Sequence, residues 1–281
     1  MIEIINLNKN FKKKNVLNNI NIKLNNGIYG LLGANGAGKT TLLRCLTLLY
    51  QEGNKSIYND GVLVSKSKGF LNKIGYLPQQ FGLFNELTVF EGMQLMANFK
   101  GMKKADAIED INKCLQLVNL MEEKNKKIRA LSGGMLRRLG IAQALLNDPK
   151  IIIFDEPTAG LDPMERLRFK SIISKIEKDK TVIISTHIVE DVEAICDYVI
   201  IMEHGNIKGC MSCAELQKYA NGKVFEIPEN EMQKVKGCVY TEKTYERDGT
   251  IFARILSGQK QDYPICETNI EDGYLCIVNG I

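Results

Sequence analysis

The feature that most constrains the fold of this chain is a glycine-rich octapeptide, Gly33-Ala-Asn-Gly-Ala-Gly-Lys39-Thr40. The apolar run Ile28–Leu32 precedes it and predicts a buried strand, and the following segment Thr41–Tyr50 has helical character. Glycines let successive backbone N–H groups turn inward, and the start of a helix adds the positive end of its dipole. The octapeptide also fits the pattern GxxxxGK[ST] at every fixed position, so it predicts an α/β fold whose turn cradles phosphate oxygens.

Composition favours a globular protein, and the sequence shows neither a membrane-spanning helix nor a signal peptide. Hydrophobic residues make up 44% of the 281 positions and charged residues 25%. No apolar run reaches the roughly 18 residues that a membrane-spanning helix needs, and Met1–Leu7 mixes polar with apolar residues, unlike a signal peptide. The net charge of +4 is too weak by itself to indicate nucleic-acid binding. We therefore expect a cytosolic protein, and a membrane role would need another chain to cross the bilayer.

The pattern of elements changes along the chain. The N-terminal part is rich in strands, and Asn26-Gly27 there predicts a hairpin turn. Residues 81–130 lack strand alternation and predict helices at Val89–Met102 and Ala105–Met121. Leu131–Tyr219 alternates helices with short apolar strands, as is typical of a parallel sheet. In the tail from about residue 222, two strand-like runs flank Arg247-Asp248-Gly249 and predict a hairpin. Because about sixty residues lie near the lower limit for independent folding, we expect the tail to pack on the main domain.

Two adjacent carboxylates, Asp155 and Glu156, follow the apolar run Ile151–Phe154. Successive residues of a strand face opposite ways, so the two acids need not share one task. Asp155 is placed to hold Mg²⁺, directly or through water, and Glu156 is placed to act as a general base on an attacking water. The alternative is a pair of solvated surface acids.

Three further patterns are weaker signals. Ser132–Gly134, before a basic amphipathic helix, predicts a second anion-binding turn, although a structural helix start explains it as well. His187 follows the apolar run Val182–Ile184, at the edge where ligands bind in open α/β sheets, although a lone His is more often structural. The pair Cys210 and Cys213 has neither a second CxxC nor a His partner nearby, so we expect no structural zinc.

Taken together, these elements resemble the ATP-binding cassette (ABC) family over about Ile2–Tyr219. The glycine loop matches Walker A, Leu131–Met135 matches the family signature, and Asp155-Glu156 match Walker B with its catalytic glutamate. Single residues match the remaining motifs: Gln79 of the Q-loop, Asp162 of the D-loop, His187 as the switch histidine, and Phe11 as the aromatic that stacks on adenine. A buried core position is the alternative for Phe11.

The resemblance implies a fold and a division of the chain. The fold is an α/β P-loop NTPase cassette with an N-terminal antiparallel β subdomain, a helical subdomain at about 81–130 and a small C-terminal α+β or β extension. The ABC ATPase domain would cover residues 1–221, and the extension would cover residues 222–281.

The resemblance also implies ATP and Mg²⁺ as cofactors and assigns residues to them. The residues expected to contact ATP are Phe11, Gly33, Ala34, Asn35, Gly36, Ala37, Gly38, Lys39, Thr40, Thr41, Ser132, Gly133, Gly134 and Asp162. The residues expected to take part in hydrolysis are Glu156, His187 and Gln79, and those expected to hold Mg²⁺ are Thr40, Gln79 and Asp155.

Two protein partners follow from the resemblance. Two copies would dimerise head to tail, so that Ser132 and Gly134 would touch the ATP of the partner copy. The helices of residues 81–130 would dock on a separate transmembrane permease subunit, which would hold the chain on the cytoplasmic face of the cell membrane. No direct contact with nucleic acid is implied.

Met135 stands where the signature usually ends in Gln, and Arg137-Arg138 follow it. With the tail, this pattern resembles the cassettes of bacterial exporters whose membrane subunit is a separate chain. We therefore expect the ATP-hydrolysing subunit of an exporter. The alternatives are an importer subunit and a soluble cassette that acts on DNA or ribosomes, and the cargo stays open.

Overall fold

In a computed structural model of the chain, residues 1–12, 14–67, 69–176, 179–237 and 239–281 are described. Their strands, in chain order, are β1 (Ile2–Phe11), β2 (Lys14–Leu24), β3 (Gly27–Leu32), β4 (Ile57–Asn59), β5 (Val62–Leu63), β6 (Ile74–Leu77), β7 (Ile151–Asp155), β8 (Thr181–Thr186), β9 (Tyr198–Glu203), β10 (Asn206–Ser212), β11 (Val224–Pro228), β12 (Val239–Arg247) and β13 (Thr250–Ser257). Their α-helices are α1 (Lys39–Leu46), α2 (Gly53–Ser56), α3 (Val89–Phe99), α4 (Lys104–Leu117), α5 (Gly133–Leu145), α6 (Pro163–Ile173), α7 (Val189–Ile195), α8 (Cys213–Tyr219) and α9 (Ile270–Asn279).

A six-stranded sheet with the order β10-β9-β3-β8-β7-β6 runs through the main domain. Its first five strands in the chain, β3 and β6 to β9, run parallel, and β10 pairs antiparallel with β9 at one edge. Every residue of β7 and β8 is buried, which explains why these strands are continuous apolar runs. Because parallel strands end at the same edge, the segments that follow β3, β6, β7 and β8 lie close together.

The N-terminal antiparallel sheet, with the order β2-β1-β4-β5, packs over α1 on one face of the parallel sheet. The predicted hairpin at Asn26-Gly27 is wrong, because β2 and β3 belong to different sheets. Gly27 has φ +140°, and its N–H donates to the Lys180 carbonyl at the start of β8. The turn therefore passes the chain from the antiparallel sheet into the parallel one, where β3 finds partners on both sides.

The helical part contains α3 and α4, which pack with α5 on the other face of the parallel sheet. Thr88 and Glu91 form a capping box that starts α3, and Gly101, with φ +72°, follows its end. Both helices are shorter than the predicted spans Val89–Met102 and Ala105–Met121. The partly buried Lys100 donates from its ammonium to the Leu146 carbonyl at 2.6 Å and so binds α3 to the end of α5.

The C-terminal residues form a sheet with the order β11-β13-β12 and the helix α9, and the predicted hairpin between β12 and β13 is confirmed. Helix α9 packs on α7 and α8, and its Ile270 shares a core with Leu216 and Val192. A Cβ on Gly273 would lie 2.0 Å from the Leu216 carbonyl oxygen, so only glycine allows α9 to approach α8 this closely. The predicted α/β class, with an antiparallel N-terminal sheet and a mixed C-terminal extension, is confirmed, and the boundary at 221/222 remains a prediction.

None of the helices among the described residues has both the length and the apolar character that a bilayer crossing requires.

Candidate nucleotide-binding site

The carboxyl edge of the parallel sheet gathers most of the predicted site. The glycine loop follows β3, Gln79 lies two residues after β6, and Glu156 follows β7 directly. His187 follows β8, which lies between β3 and β7 in the sheet. Four segments that are distant in the sequence therefore meet because their strands are neighbours and end at one edge.

The glycine loop has the backbone that a phosphate cradle requires. Gly36 and Gly38 have φ of +82° and +108°, a region that side chains rarely adopt. A Cβ on Gly33 would lie 2.2 Å from the Met202 carbonyl oxygen, so the loop also needs glycine where it passes β9. Helix α1 begins at Lys39 directly after the loop, which directs its free N–H groups toward the same space.

Lys39 is the buried cation of the site, with 6% of its surface exposed. Its ammonium donates to the carbonyl of Gly33 at 2.7 Å and to that of Ala34 at 3.3 Å. It also lies 3.2 Å from Oε1 of Glu156. The only cation of the glycine-loop motif thus lies between the loop and the carboxylate that follows β7.

Asp155 is fully buried and faces the start of α1. Its Oδ1 accepts hydrogen bonds from the hydroxyls of Ser185, at 2.7 Å, and Thr40, at 3.1 Å. Its Oδ2 is buried without a hydrogen-bond partner among the described residues. Because an unpaired buried carboxylate oxygen is costly and hard oxygen ligands suit Mg²⁺, these residues fit the metal that the resemblance implies.

Glu156 has a backbone conformation that is rare for a residue with a side chain, with φ +48°. Its N–H donates to the Ser185 hydroxyl at 2.8 Å, and its side chain is nearly buried. Oε2 lies 3.0 Å from Nδ1 of His187, while Oε1 pairs with Lys39. The two adjacent acids therefore contact different partners, as the alternation of a strand predicts, and neither is a solvated surface acid.

A cleft of about 420 Å³ opens beside these groups. Gln79 and Glu156 line it together with the glycine loop and the start of α1, and two residues of β2 complete it. The full lining is Lys14, Val16, Asn35, Gly36, Gly38, Lys39, Thr40, Thr41, Gln79 and Glu156. Of the predicted loop residues, Gly33, Ala34 and Ala37 support the turn without lining the cleft.

Phe11 lies at the end of β1 and does not line this cleft. It is 41% exposed, so the alternative of a buried core position is wrong. Its ring packs edge-on against Tyr50 at 5.5 Å, and the ammonium of Lys9 lies 4.7 Å from its centroid. The predicted contact with adenine stays a prediction.

The signature and D-loop residues also lie outside the cleft of their own chain. Ser132 begins α5, and its hydroxyl accepts from the Met135 N–H, while Gly133 beside it is exposed. Gly134 packs against Glu165, and Asp162 begins α6 by accepting from the N–H of that same residue. These residues thus lie at the starts of two neighbouring helices, α5 and α6, and line no part of their own chain's cleft.

Two positioning contacts have no clear signal in the sequence. Ser185 contacts both Asp155 and the Glu156 N–H, and its only signal is a hydroxyl at the end of an apolar strand. The Thr158 hydroxyl donates to the buried Asp191 carboxylate at 2.6 Å. This second contact joins the segment after Glu156 to α7, the helix that follows the switch histidine.

Comparison with known proteins agrees with this geometry. The sequence model of the ABC transporter family matches residues 17–159. The bacitracin transport ATP-binding protein BcrA of Enterococcus faecalis is 33% identical over 281 residues, which is 99% of this chain and 83% of that protein. The methionine import ATP-binding protein MetN of Clostridioides difficile is 38% identical over 74% of this chain and 67% of its own length. The Nod factor export ATP-binding protein I of Cupriavidus metallidurans is 32% identical over 85% of this chain and 75% of its own length.

Solved structures show the same likeness. The dimeric ABC transporter cassette MJ0796 is 28% identical and superposes with a TM-score of 0.66 over 75% of this chain and 98% of its own. The same cassette in a post-hydrolysis dimer bound to ADP and Pi is 27% identical, with a TM-score of 0.66 over 75% of this chain and 98% of that one. The chain therefore belongs to the ABC transporter family and is an ATP-hydrolysing cassette, the ATP-binding subunit of a membrane transporter.

Proposed function

We propose that two copies of this chain close head to tail around ATP and power a separate transmembrane permease as an exporter. One observation carries the head-to-tail arrangement: the signature residues lie outside the cleft that the glycine loop lines. Ser132 and Gly133 are exposed, so a second copy can reach them. A similar cassette is dimeric, which supports an assembly of two copies.

In this proposal each side chain of the cleft has one task. Lys39 and the N–H groups of the glycine loop hold the outer phosphates, whose negative charge they oppose. Thr40, Gln79 and Asp155 would hold Mg²⁺, which would neutralise charge on those phosphates. Glu156 accepts a proton from the attacking water.

His187 supports the carboxylate of Glu156 in that step. Its Nδ1 lies 3.0 Å from Oε2, so the ring orients one oxygen of Glu156 while the other faces Lys39. A base oriented by this contact favours proton transfer along one direction.

Export is supported by the match to BcrA, which extends over 99% of this chain and so includes the C-terminal extension. The relatives named here serve transporters, which speaks against a soluble cassette acting on nucleic acid or ribosomes. The chain would lie at the cytoplasmic face of the membrane, bound to the permease.

Transport direction can be measured in the host bacterium. Cells in which Glu156→Gln replaces the native residue should accumulate the cargo and become more sensitive to it if the cassette drives export. A panel that begins with bacitracin and other peptide antibiotics, with intracellular concentration as the measurement, tests this expectation. Unchanged accumulation across the panel, together with slower uptake of a nutrient, would indicate import.

Complementation between two inactive variants tests the head-to-tail arrangement. Ser132→Arg should stop hydrolysis and spare ATP binding by the monomer, because the added bulk blocks only the partner's nucleotide. Lys39→Ala should weaken ATP binding by about 2–3 kcal/mol, roughly 30- to 150-fold, because it removes the charged donor. A mixed dimer of the two variants contains one intact composite site, so the mixture should hydrolyse ATP faster than either variant alone.

The control for Lys39→Ala is Lys14→Ala, which removes a cation from the same cleft but from an exposed position on β2. We expect its ATP affinity to change within about threefold. The head-to-tail arrangement would be refuted if the mixture showed no gain while each variant alone bound or hydrolysed as expected. A loss of monomer affinity in Ser132→Arg would place the serine in its own chain's site.

A further inference from the structure

Arg137, in the second turn of α5, holds the segment that carries Gln79. Its Nη1 donates to the Gln79 carbonyl at 2.9 Å and to the Pro78 carbonyl at 3.4 Å. The Gln79 side chain is exposed on the cleft, so its backbone hydrogen bond to Arg137 helps to set its direction. Arg137 thus supports the segment that lines one side of the cleft without lining the cleft itself.

The other side of the same guanidinium holds the segment that carries Glu156. Nε donates to the Pro157 carbonyl at 2.9 Å, and Nη2 donates to the carbonyls of Asp155, at 3.2 Å, and Glu156. A positive φ strains a residue that has a side chain, and this conformation persists only where the surroundings hold it. The hydrogen bonds from Arg137 help to hold the backbone of Glu156 in its positive-φ conformation.

Only a guanidinium can make this set of bonds. Its five N–H donors lie in one rigid plane, and they meet carbonyls from two separate segments at once. Helix α5 itself is fixed against the Gln79 segment, since a Cβ on Gly140 would lie 2.6 Å from Leu77 and 2.8 Å from Phe81. The Gln143 amide donates to the Tyr76 carbonyl at 2.6 Å on the same side of the helix.

We propose that Arg137 is a positioning residue that holds Gln79 and Glu156 in register across the cleft. The inference rests on the roles proposed above for these two side chains. Arg137 does not line the cleft, and it acts through the backbone of both segments. Its loss should therefore disturb turnover more than ATP binding, which depends on the glycine loop and Lys39.

Arg137→Met should lower kcat about 10- to 100-fold, because a displacement of about 1 Å in a catalytic group has an effect of that size. KM for ATP should stay within about threefold. The kcat of Arg137→Lys should lie between those of the wild type and Arg137→Met, since one ammonium can keep some of the hydrogen bonds to carbonyls but cannot span both segments. Steady-state ATPase kinetics on the full chain give kcat and KM for all three proteins.

Lys100→Met is the matched control for a purely structural role. Like Arg137, Lys100 is a partly buried cation that donates to a backbone carbonyl, but its acceptor is Leu146 at the opposite end of α5. We expect this variant to lower the melting temperature while kcat stays within about threefold. If both variants lost stability and turnover in the same proportion, Arg137 would be a structural residue only.

The variant Gln79→Ala, used as a background, distinguishes failure of the Arg137 inference from failure of the roles proposed for Gln79 and Glu156. If Arg137 acts by holding Gln79 against Glu156, Arg137→Met should lower kcat much less in that background than in the wild type. An equal loss of kcat in the Gln79→Ala and wild-type backgrounds would overturn the inference. It would also be overturned if Gln79→Ala and Glu156→Gln were both slow while Arg137→Met kept the kcat of the wild type. If those two variants turned over normally, the proposed roles would fail first. Should Arg137→Met not fold, Arg137→Lys carries the same comparison.

Discussion

Glu156→Gln should lower ATP turnover by about 10²–10⁴-fold, the usual effect of losing a positioned general base. The amide cannot accept a proton from water, whereas Asp155, Thr40 and the glycine loop are unchanged. ATP and Mg²⁺ should therefore still bind. Because the substitution also removes a negative charge that faces the outer phosphates, the variant should hold ATP longer, and two copies should stay closed around it.

Size-exclusion chromatography with ATP and Mg²⁺ tests this expectation, since the variant should elute as a dimer that the wild type forms only briefly. The matched control is Asp155→Asn, which changes the adjacent acid in the same way. Asp155 faces Thr40 and Ser185, so its amide should weaken Mg²⁺-dependent ATP binding and trap no dimer. If Glu156→Gln remained monomeric with weakened Mg²⁺-ATP affinity, the two roles would have to be exchanged.

Arg254→Met should lower the free energy of unfolding of the C-terminal extension by about 3–5 kcal/mol, as happens when one partner of a buried ion pair is removed. Arg254 on β13 donates to Glu242 on β12 at 2.6 Å and to Asp272 on α9 at 2.7 Å. The Asp272 side chain is fully buried and that of Glu242 is 5% exposed. Without the guanidinium, two buried carboxylates would share one site, and the exposed ammonium of Lys243, 3.4 Å from Glu242, would be the cation left beside them.

The pH dependence of this variant has a defined sign. Burial, and then the charge of Asp272, raise the pKa of Glu242 above its ordinary value in the folded protein. A carboxyl with a raised folded pKa contributes full stability below its unfolded pKa and loses that contribution as pH rises through the raised value. The loss of unfolding free energy in Arg254→Met should therefore grow as pH rises through the raised pKa of Glu242. It should shrink in mild acid, where a neutral Glu242 needs no cation.

Urea unfolding and hydrogen exchange of the extension at two pH values measure both effects. Arg247→Met is the matched control, because Arg247 pairs with Glu226 in the same sheet but is 53% exposed. An exposed pair contributes about 1 kcal/mol or less, so Arg247→Met should lower stability far less than Arg254→Met. Equal losses in the two variants would contradict the assigned role of the buried Arg254 cluster.

The sequence by itself determined the class of fold and the chemistry of the cleft. Glycines at fixed spacing before Lys39, and two acids at the end of an apolar run, are local patterns whose dihedral and burial requirements lie within a few neighbouring residues. A helix start at Thr88 or Ser212 is equally local, and both capping boxes are present. Such signals predicted which strand ends carry functional groups.

Only the tertiary structure decided how those groups contact one another. Thr40 and Asp155 are 115 positions apart and meet because β3 and β7 flank β8 in the sheet. Asn26-Gly27 has the pattern of a hairpin, yet the parallel partners of β3 are more than a hundred residues away. Register between distant strands depends on the whole packed core, which no local pattern contains.

The same reason explains why Arg137 and Arg254 gave no signal of their roles. In the sequence each is a basic residue on an amphipathic helix or strand, a pattern that usually marks a solvated face. Folding places Arg137 among carbonyls of two segments and Arg254 between two buried carboxylates. A charged side chain takes a structural role only when folding surrounds it with partners, because the free energy of a buried ion depends on the groups that replace its water.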